Sequence, residues 1–549
     1  MTLKKCLVIA SILIAPVLLH AQNVRSLDPA EILKPLGAEW LTHNGDYSGR
    51  RHSSLTQINQ STVKNLTLAW FARFTSGSGP RMITGGRGAG DFPPGSVSFK
   101  SSALMVDGVI YISSPDNAWA VDGSTGREIW HYFWKTRGGT HIGNRGLGMW
   151  KNYVYMETPD NYLVCLDAKT GQEKWNVEIA KLEEQYFSTP APVIIDDHVI
   201  VGTGNDMDRP GVLQSFNAET GKLEWKLYTV PMNVGDPGLE TWESLDAARH
   251  GGGNAWVNGA YDPETKLYIF STGNPNPAYT PGARDGDNLF TSSMIAVHVD
   301  TGKMAWYFQT SPNDAHDWDS AQTPVIFDGT INGQARKLVA TAARNGYYFV
   351  VDRVTGQHIT TMKYGSTTNW STGLTPKGAP LRNRIKDPAV GGSLVSPTAD
   401  GTINWQPPAF SPDTGYLYVA ERNGFSIFYL LEQDPRGSMG LGGSQEVTVG
   451  SAGAFLTAID YRNGGRIAWR HRYPTGANGG GGGILSTAGG LVFAGDGNGN
   501  LVAHNASTGA PLWHTRIGPV GNAPQTWMID GRQYLVAATG DTLWAFVLY

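Results

Sequence analysis

One short phrase recurs along this chain and constrains its fold more than any other feature. It reads aliphatic residue, Asp or Asn, two residues, Thr-Gly, three residues, Trp. Copies are Val121-Asp122…Thr125-Gly126…Trp130, Leu166-Asp167…Thr170-Gly171…Trp175, Phe216-Asn217…Thr220-Gly221…Trp225 and His504-Asn505…Thr508-Gly509…Trp513. A fifth puts His298 in the Asp slot before Thr301-Gly302 and Trp306, and a sixth, Ile459-Asp460…Asn463-Gly464…Trp469, is one residue longer. A seventh, Val351-Asp352…Thr355-Gly356, carries Thr360 where Trp belongs. Each copy predicts a strand, a Gly-assisted turn and the start of the next strand. The Trp is large enough to wedge between neighbouring sheets. Trp70 resembles a further docking Trp without its turn. Positions 70, 130, 175, 225, 306, 360, 469 and 513 are mostly spaced as one four-stranded blade requires. The expectation is an all-β chain, a single eight-bladed β-propeller over residues 40–549. Strands at 533–538 and 542–548 would complete the blade begun by the N-terminal segment and so leave no open edge. The long Gly/Pro-rich stretches around 371–400 and 432–452 read as loops.

Composition agrees and excludes some functions. Charged residues make up 16%, aromatic residues 11%, and there are 69 Gly, a mixture suited to short strands and tight turns. A net charge of −4 provides no broad basic surface for nucleic acid. Lys4 and Lys5 precede the apolar run from Cys6 to Leu19, and His20-Ala21 offers a cleavage point. Residues 1–21 therefore read as an export signal and 22–39 as an N-terminal extension, with a periplasmic or secreted product; the alternative is a buried N-terminal strand. The run is too short to span a bilayer, and no other stretch reads as a transmembrane segment. After cleavage only Cys165 remains, in an apolar strand, so neither an internal disulfide nor a covalent haem is expected.

Five clusters can carry chemistry. In Ser311-Pro312-Asn313-Asp314-Ala315-His316-Asp317-Trp318-Asp319, an extended backbone would place Asp317 and Asp319 on one face. Paired carboxylates attract a cation or a proton, although an acidic turn facing solvent has the same spelling. Gly251-Gly252-Gly253-Asn254-Ala255-Trp256 allows close approach of a flat ligand to backbone, with Trp256 as a stacking platform or simply another core Trp. Ser271-Thr272-Gly273-Asn274-Pro275 offers an amide oxygen suited to a hard ion, or is only a turn. Gly143-Asn144-Arg145-Gly146 and Ala343-Arg344-Asn345-Gly346 each set an Arg fork beside Gly, for binding a carboxylate or carbonyl or for a surface turn.

Together and in this order, the clusters resemble the quinoprotein alcohol dehydrogenases, which depend on pyrroloquinoline quinone (PQQ). The resemblance runs from about Trp40 to Tyr549. It includes Gly49-Arg50-Arg51-His52-Ser53-Ser54-Leu55-Thr56-Gln57-Ile58 and Asn404-Trp405-Gln406-Pro407-Pro408. It implies that Trp256 stacks on PQQ, that Arg145, Thr189 and Asn404 contact the cofactor, and that Asn274 binds a metal ion. By the same resemblance Asp317 is the base, Arg344 lies beside the reactive carbonyl, and Asp319 is the extra carboxylate of lanthanide-using members. Ca2+ or a lanthanide ion would polarise the quinone, a small alcohol would be the substrate, and a separate cytochrome c or similar acceptor would take the electrons.

Four positions depart from the family pattern. Gly139-Thr140 replaces the vicinal disulfide, Met207 stands where a metal-binding Glu belongs, Lys100 replaces an acidic cofactor contact, and Gly481 replaces a pocket Trp. Asp206 or Asp208 is then the substitute metal ligand. These losses also spell a second function, a cofactor-free propeller acting as a binding or envelope-assembly module.

Overall fold

In a computed structural model the described residues are 25–549, apart from 78–81, 84–90, 93–96, 139–142, 206–207, 321, 432–443 and 475–480. The reading of residues 1–21 as an export signal lies outside them. The chain folds almost entirely as antiparallel β-structure, with short α-helices at Pro29–Ile32 and Leu245–Arg249. Among the described residues there are eight sheets of four or five strands and two two-stranded hairpins. Most of the larger sheets are sequential meanders, such as Leu104–Val106, Val109–Ser114, Asn117–Asp122 and Glu128–Phe133. Two sheets break this order, one of them because His52–Ser53 pairs parallel with Leu485–Thr487. Leu66–Arg73 pairs antiparallel with Thr542–Leu548, Leu66 opposite Leu548, so the two ends of the chain share a sheet as expected.

The recurring phrase is a contact between sheets, and each of its letters has a separate cause. In the 122–126 copy, Asp122 Oδ1 accepts from the amides of Ser124 and Thr125, both at 3.0 Å, which closes the turn. Gly126 takes φ +75°, and a Cβ there would lie 2.6 Å from the Trp70 indole. Glycine is needed for the backbone angle and for the ring. Trp70 Nε1 then donates to the carbonyl of Gly123 at 3.1 Å. The same pattern joins Trp130 to Ala168, Trp175 to Glu219, Trp225 to Val299, Trp306 to Arg353 and Trp469 to Ala506. Each indole thus sits on the Gly turn of the next sheet along the chain. Where Thr360 replaces Trp, Gly465 of the next turn faces the Tyr348 ring and Met362 instead. Tyr348 is fully buried there.

Two loop expectations need correction. Residues 444–452 belong to the strand Ser444–Asp460, which forms a long hairpin with Tyr416–Leu430. The 371–400 stretch contains the hairpin Ser371–Leu374/Pro380–Arg382 and the strand Ser393–Val395. Turn-rich composition had masked β-branched residues that pair across strands. Cys165 is buried and unbridged in Tyr162–Asp167, and burial pushes its thiol up to about 12.

Candidate functional site

The loop 311–320 carries the paired acids, but not on an extended backbone. Asp317 has φ +66° and Asn313 φ +47°, so alternation along a strand does not align the carboxylates. The loop is shaped by Asp314, whose Oδ2 accepts from the amides of His316 and Trp318 at 3.3 and 3.0 Å. Trp318 anchors it, stacked on His316 with centroids 4.4 Å apart and donating to Thr398 O at 2.9 Å. What brings Asp317 and Asp319 together is Arg344. Its Nη1 donates to Asp319 Oδ2 at 2.6 Å, and its Nη2 reaches Asp317 Oδ2 at 3.4 Å and also bonds the Ala399 carbonyl. The cation expected between the carboxylates is therefore a guanidinium. Burial opposes the Arg344 charge, but Asp319, Asp317 and Asp400 raise its pKa, so it stays protonated. Burial raises the Asp319 pKa despite Arg344 and the Asn274 amide.

The two acids are not equivalent. Asp319 is tightly held: its Oδ1 also accepts from Asn274 N at 2.5 Å, and Gly273 leaves room for that approach. Asp317 is held at a distance longer than a strong charge-assisted bond, and 15% of its side chain is exposed. Asn274 donates through Nδ2 to Pro275 O and Asn276 Oδ1, both at 3.1 Å. Its own Oδ1 receives no hydrogen bond from the described residues.

The glycines at 251–253 need a corrected role. Protein packs against them: the Trp242 ring on Gly251, the Asn274 carbonyl on Gly252 and the Thr229 hydroxyl on Gly253. They seat this segment on the Asn274 turn, through Gly253 N to Asn274 O at 3.0 Å and Gly273 N to Asn254 O at 2.8 Å. That pairing joins the segment leading to Trp256 to the Asn274 turn.

Trp256 is buried against Phe187, Val257 and the partly buried Trp405. The Arg145 guanidinium lies 4.7 Å from the Trp256 ring and 5.4 Å from Trp405. Arg145 is 2% exposed, and neither Nε nor Nη2 has a hydrogen-bond partner; Nη1 donates to Thr189 O at 3.3 Å. Burial lowers its pKa to about 9, against an opposing pull from Glu157. Thr189 reaches the cluster through that carbonyl, while its hydroxyl donates to Trp256 O at 2.8 Å. Lys100 is close by, packed against Gly143, and burial and then Arg145 lower its pKa to about 8.

Asn404 lies in a turn. Its amide is engaged in its own turn, donating to Asp400 O at 3.1 Å and accepting from Trp405 N at 2.8 Å. The residue that this loop brings to Arg145 is Trp405, which sequence reasoning quoted only inside a motif. Asp208 is corrected as well: its side chain is 58% exposed and faces Arg209 at 4.0 Å. Asp206, Met207, Gly139 and Thr140 lie outside the described residues. Gly481 is exposed. Among the described residues no three His, Cys, Asp or Glu side chains converge on a metal site.

Comparisons with known proteins bear on the family and the fold. The family model for the glucose/ethanol/alcohol dehydrogenase β-propeller domain, a PQQ domain, matches residues 40–369, and the model for outer membrane protein assembly factor BamB matches 452–547. The chain is 34% identical to quinohemoprotein alcohol dehydrogenase ADH IIB of Pseudomonas putida, over 92% of this chain and 74% of that protein. It is 32% identical to quinoprotein alcohol dehydrogenase PedH of Pseudomonas putida, over 96% of this chain and 91% of that one. Among solved structures, quinohemoprotein alcohol dehydrogenase ADHIIG of Pseudomonas putida HK5 superposes with a TM-score of 0.82 at 28% identity, covering 96% of this chain and 82% of that one. The chain belongs to the PQQ-dependent alcohol dehydrogenase family and is an alcohol dehydrogenase-like enzyme of that family.

Proposed function

We propose that this chain is an exported, periplasmic alcohol dehydrogenase whose eight larger sheets are the blades of one closed ring, with PQQ bound between the Arg145 and Arg344 sides. The observation that carries the reading is Arg145. A buried guanidinium with two unpartnered N–H groups is costly unless an anion meets it, and it lies against the faces of Trp256 and Trp405. A flat polycarboxylate suits that combination of plane and donors. Lys100, in place of an acidic residue, adds to the same preference.

Arg145, Lys100, Thr189 and Trp256 would hold the cofactor, with Trp405 in place of the Asn404 amide. Asn274, Asp319 and Asp206 would hold Ca2+ or a lanthanide ion. When bound, this pair supplies a metal-polarised quinone that accepts a hydride from the alcohol. The remaining chemistry belongs to the chain. Asp317 accepts the alcohol O–H proton, because its carboxylate is the loosely held and partly accessible one. Arg344 keeps Asp317 and Asp319 oriented and keeps positive charge at the reacting end. Asp319, bonded on both oxygens, positions Arg344 and the Asn274 turn. A separate cytochrome c or similar protein would take the electrons.

A second reading, a propeller that binds without catalysis, draws on the BamB family model over 452–547. Titrating PQQ with Ca2+ or La3+ while following Trp fluorescence and dye-linked oxidation of short alcohols separates the two. Quenching with turnover supports the enzyme; no quenching with either ion supports the binding module.

A further inference from the structure

Glu157 ends the strand Tyr153–Glu157 and is 1% exposed, yet both carboxylate oxygens lack a hydrogen-bond partner. The nearby Ser188 hydroxyl eases this only in part: it opposes the effect of burial on the Glu157 carboxyl, but it donates to Asn161 Oδ1 at 3.0 Å. Asn144, next to Arg145, donates through Nδ2 to the Glu157 carbonyl at 3.2 Å, which ties this strand end to the Arg145 segment. The charged or titratable groups facing Glu157 are Arg145 and Tyr268, whose hydroxyl is bonded by the Gly259 amide at 2.8 Å. Arg145 in turn acts on Lys100. Two buried cations and one buried acid, with unmatched donors and acceptors on both Arg145 and Glu157, therefore form one cluster.

We infer that Glu157 is the internal partner of Arg145, and that a bound polycarboxylate takes over this role, so that ligand entry carries protons into the protein. The inference rests on the PQQ reading and adds a proton linkage to it.

The sign follows from each group. Burial raises the Glu157 carboxyl well above its ordinary range, and Arg145 is the charge that opposes this. An anion that neutralises Arg145 removes that opposition, so Glu157 binds its proton more tightly. Lys100, lowered to about 8, is brought back up by the same anion. Lys100 takes up protons, and Glu157 does so to the extent that it is ionised in the free chain, so affinity falls as pH rises. With Lys100 alone titrating, the loss is about tenfold between about pH 7 and 9; Glu157 adds to it.

The test is calorimetric titration of PQQ with Ca2+ into the full chain at pH 8, in two buffers of different ionisation enthalpy. The expected result is net proton uptake, of which about half a proton comes from Lys100. Uptake should shrink in Glu157→Gln and in Lys100→Met, and the pH dependence of affinity should flatten. Tight binding by the wild-type chain without uptake overturns the inference and leaves the PQQ reading intact, as does uptake unchanged in both variants. No binding heat in either buffer removes the PQQ reading and the inference with it. The wild-type measurement decides even if a variant fails to fold.

Discussion

Two buried guanidinium groups stand on the two sides of the site, and they are treated oppositely. Arg344 is matched at its Nη groups, which two carboxylates and a backbone carbonyl receive, with Nε alone unpartnered, and its charge is held on. Arg145 is held by ring faces and one long bond, with Nε and Nη2 unmatched and its charge weakened by burial. A satisfied ion cluster keeps its geometry without help and suits a reacting group. An unsatisfied one stores a demand for an anion and suits capture of a ligand. On the proposed reading, chemistry and binding fall to different guanidinium groups.

The most direct way to break this comparison is Asp317→Asn. The expected outcome is loss of about 10²–10⁴ in the rate of dye-linked alcohol oxidation, the usual worth of a positioned base, with PQQ-dependent Trp quenching retained. Loss of quenching as well would mean that the Arg344 side binds cofactor as much as the Arg145 side does. The converse is Arg145→Met, which should weaken PQQ binding while leaving Asp317 and Arg344 in place.

Stability sharpens the contrast. Arg344→Met leaves two buried carboxylates without their cation and should destabilise the chain by about 3–5 kcal/mol. Arg145→Met removes a buried charge that only Glu157 supports, and should lower the Tm of the ligand-free chain by less than Arg344→Met does. Thermal unfolding of both proteins without PQQ checks this. Equal losses would show that Arg145 is already satisfied in the free chain.

The same contrast separates what was legible in the sequence from what was not. The repeated phrase could be read because each letter has a local cause: Asp122 caps a turn, Gly126 takes a positive φ under an indole, and Trp70 docks on the next sheet. Asp317, Asp319 and Arg344 were legible as chemistry, and the structure brings them together. The route was wrong, because an Asp314-capped loop rather than an extended strand aligns the two acids. Glu157 and Trp405 gave no signal. Glu157 ends a strand just before a Pro-Asp turn, where a carboxylate ordinarily faces water, and only the neighbouring segments at 144–145 and 188 bury it. Trp405 was hidden by its neighbour, since Asn404 has the more obviously polar side chain. Gly251–Gly253 pointed to a ligand because sequence reports freedom of the backbone but not what fills the space beside it.

The smallest test asks whether ring faces really hold Arg145. Trp405 is partly buried and 5.4 Å from the guanidinium, a distance at which a cation–π contact contributes about 0.5–1 kcal/mol. Trp405→Ala also removes packing against Phe187 and Trp256, so a single variant does not isolate the contact. A double-mutant cycle with Arg145→Met does. The expected coupling in the ligand-free chain is about 0.5–1 kcal/mol, favourable, from denaturant unfolding. On the other side, a cycle of Trp405→Ala with Arg344→Met should show coupling near zero, because carboxylates rather than rings hold that group. Equal coupling in the two cycles would merge the two ends of the pocket into one network, and the division between capture and chemistry would fall with it.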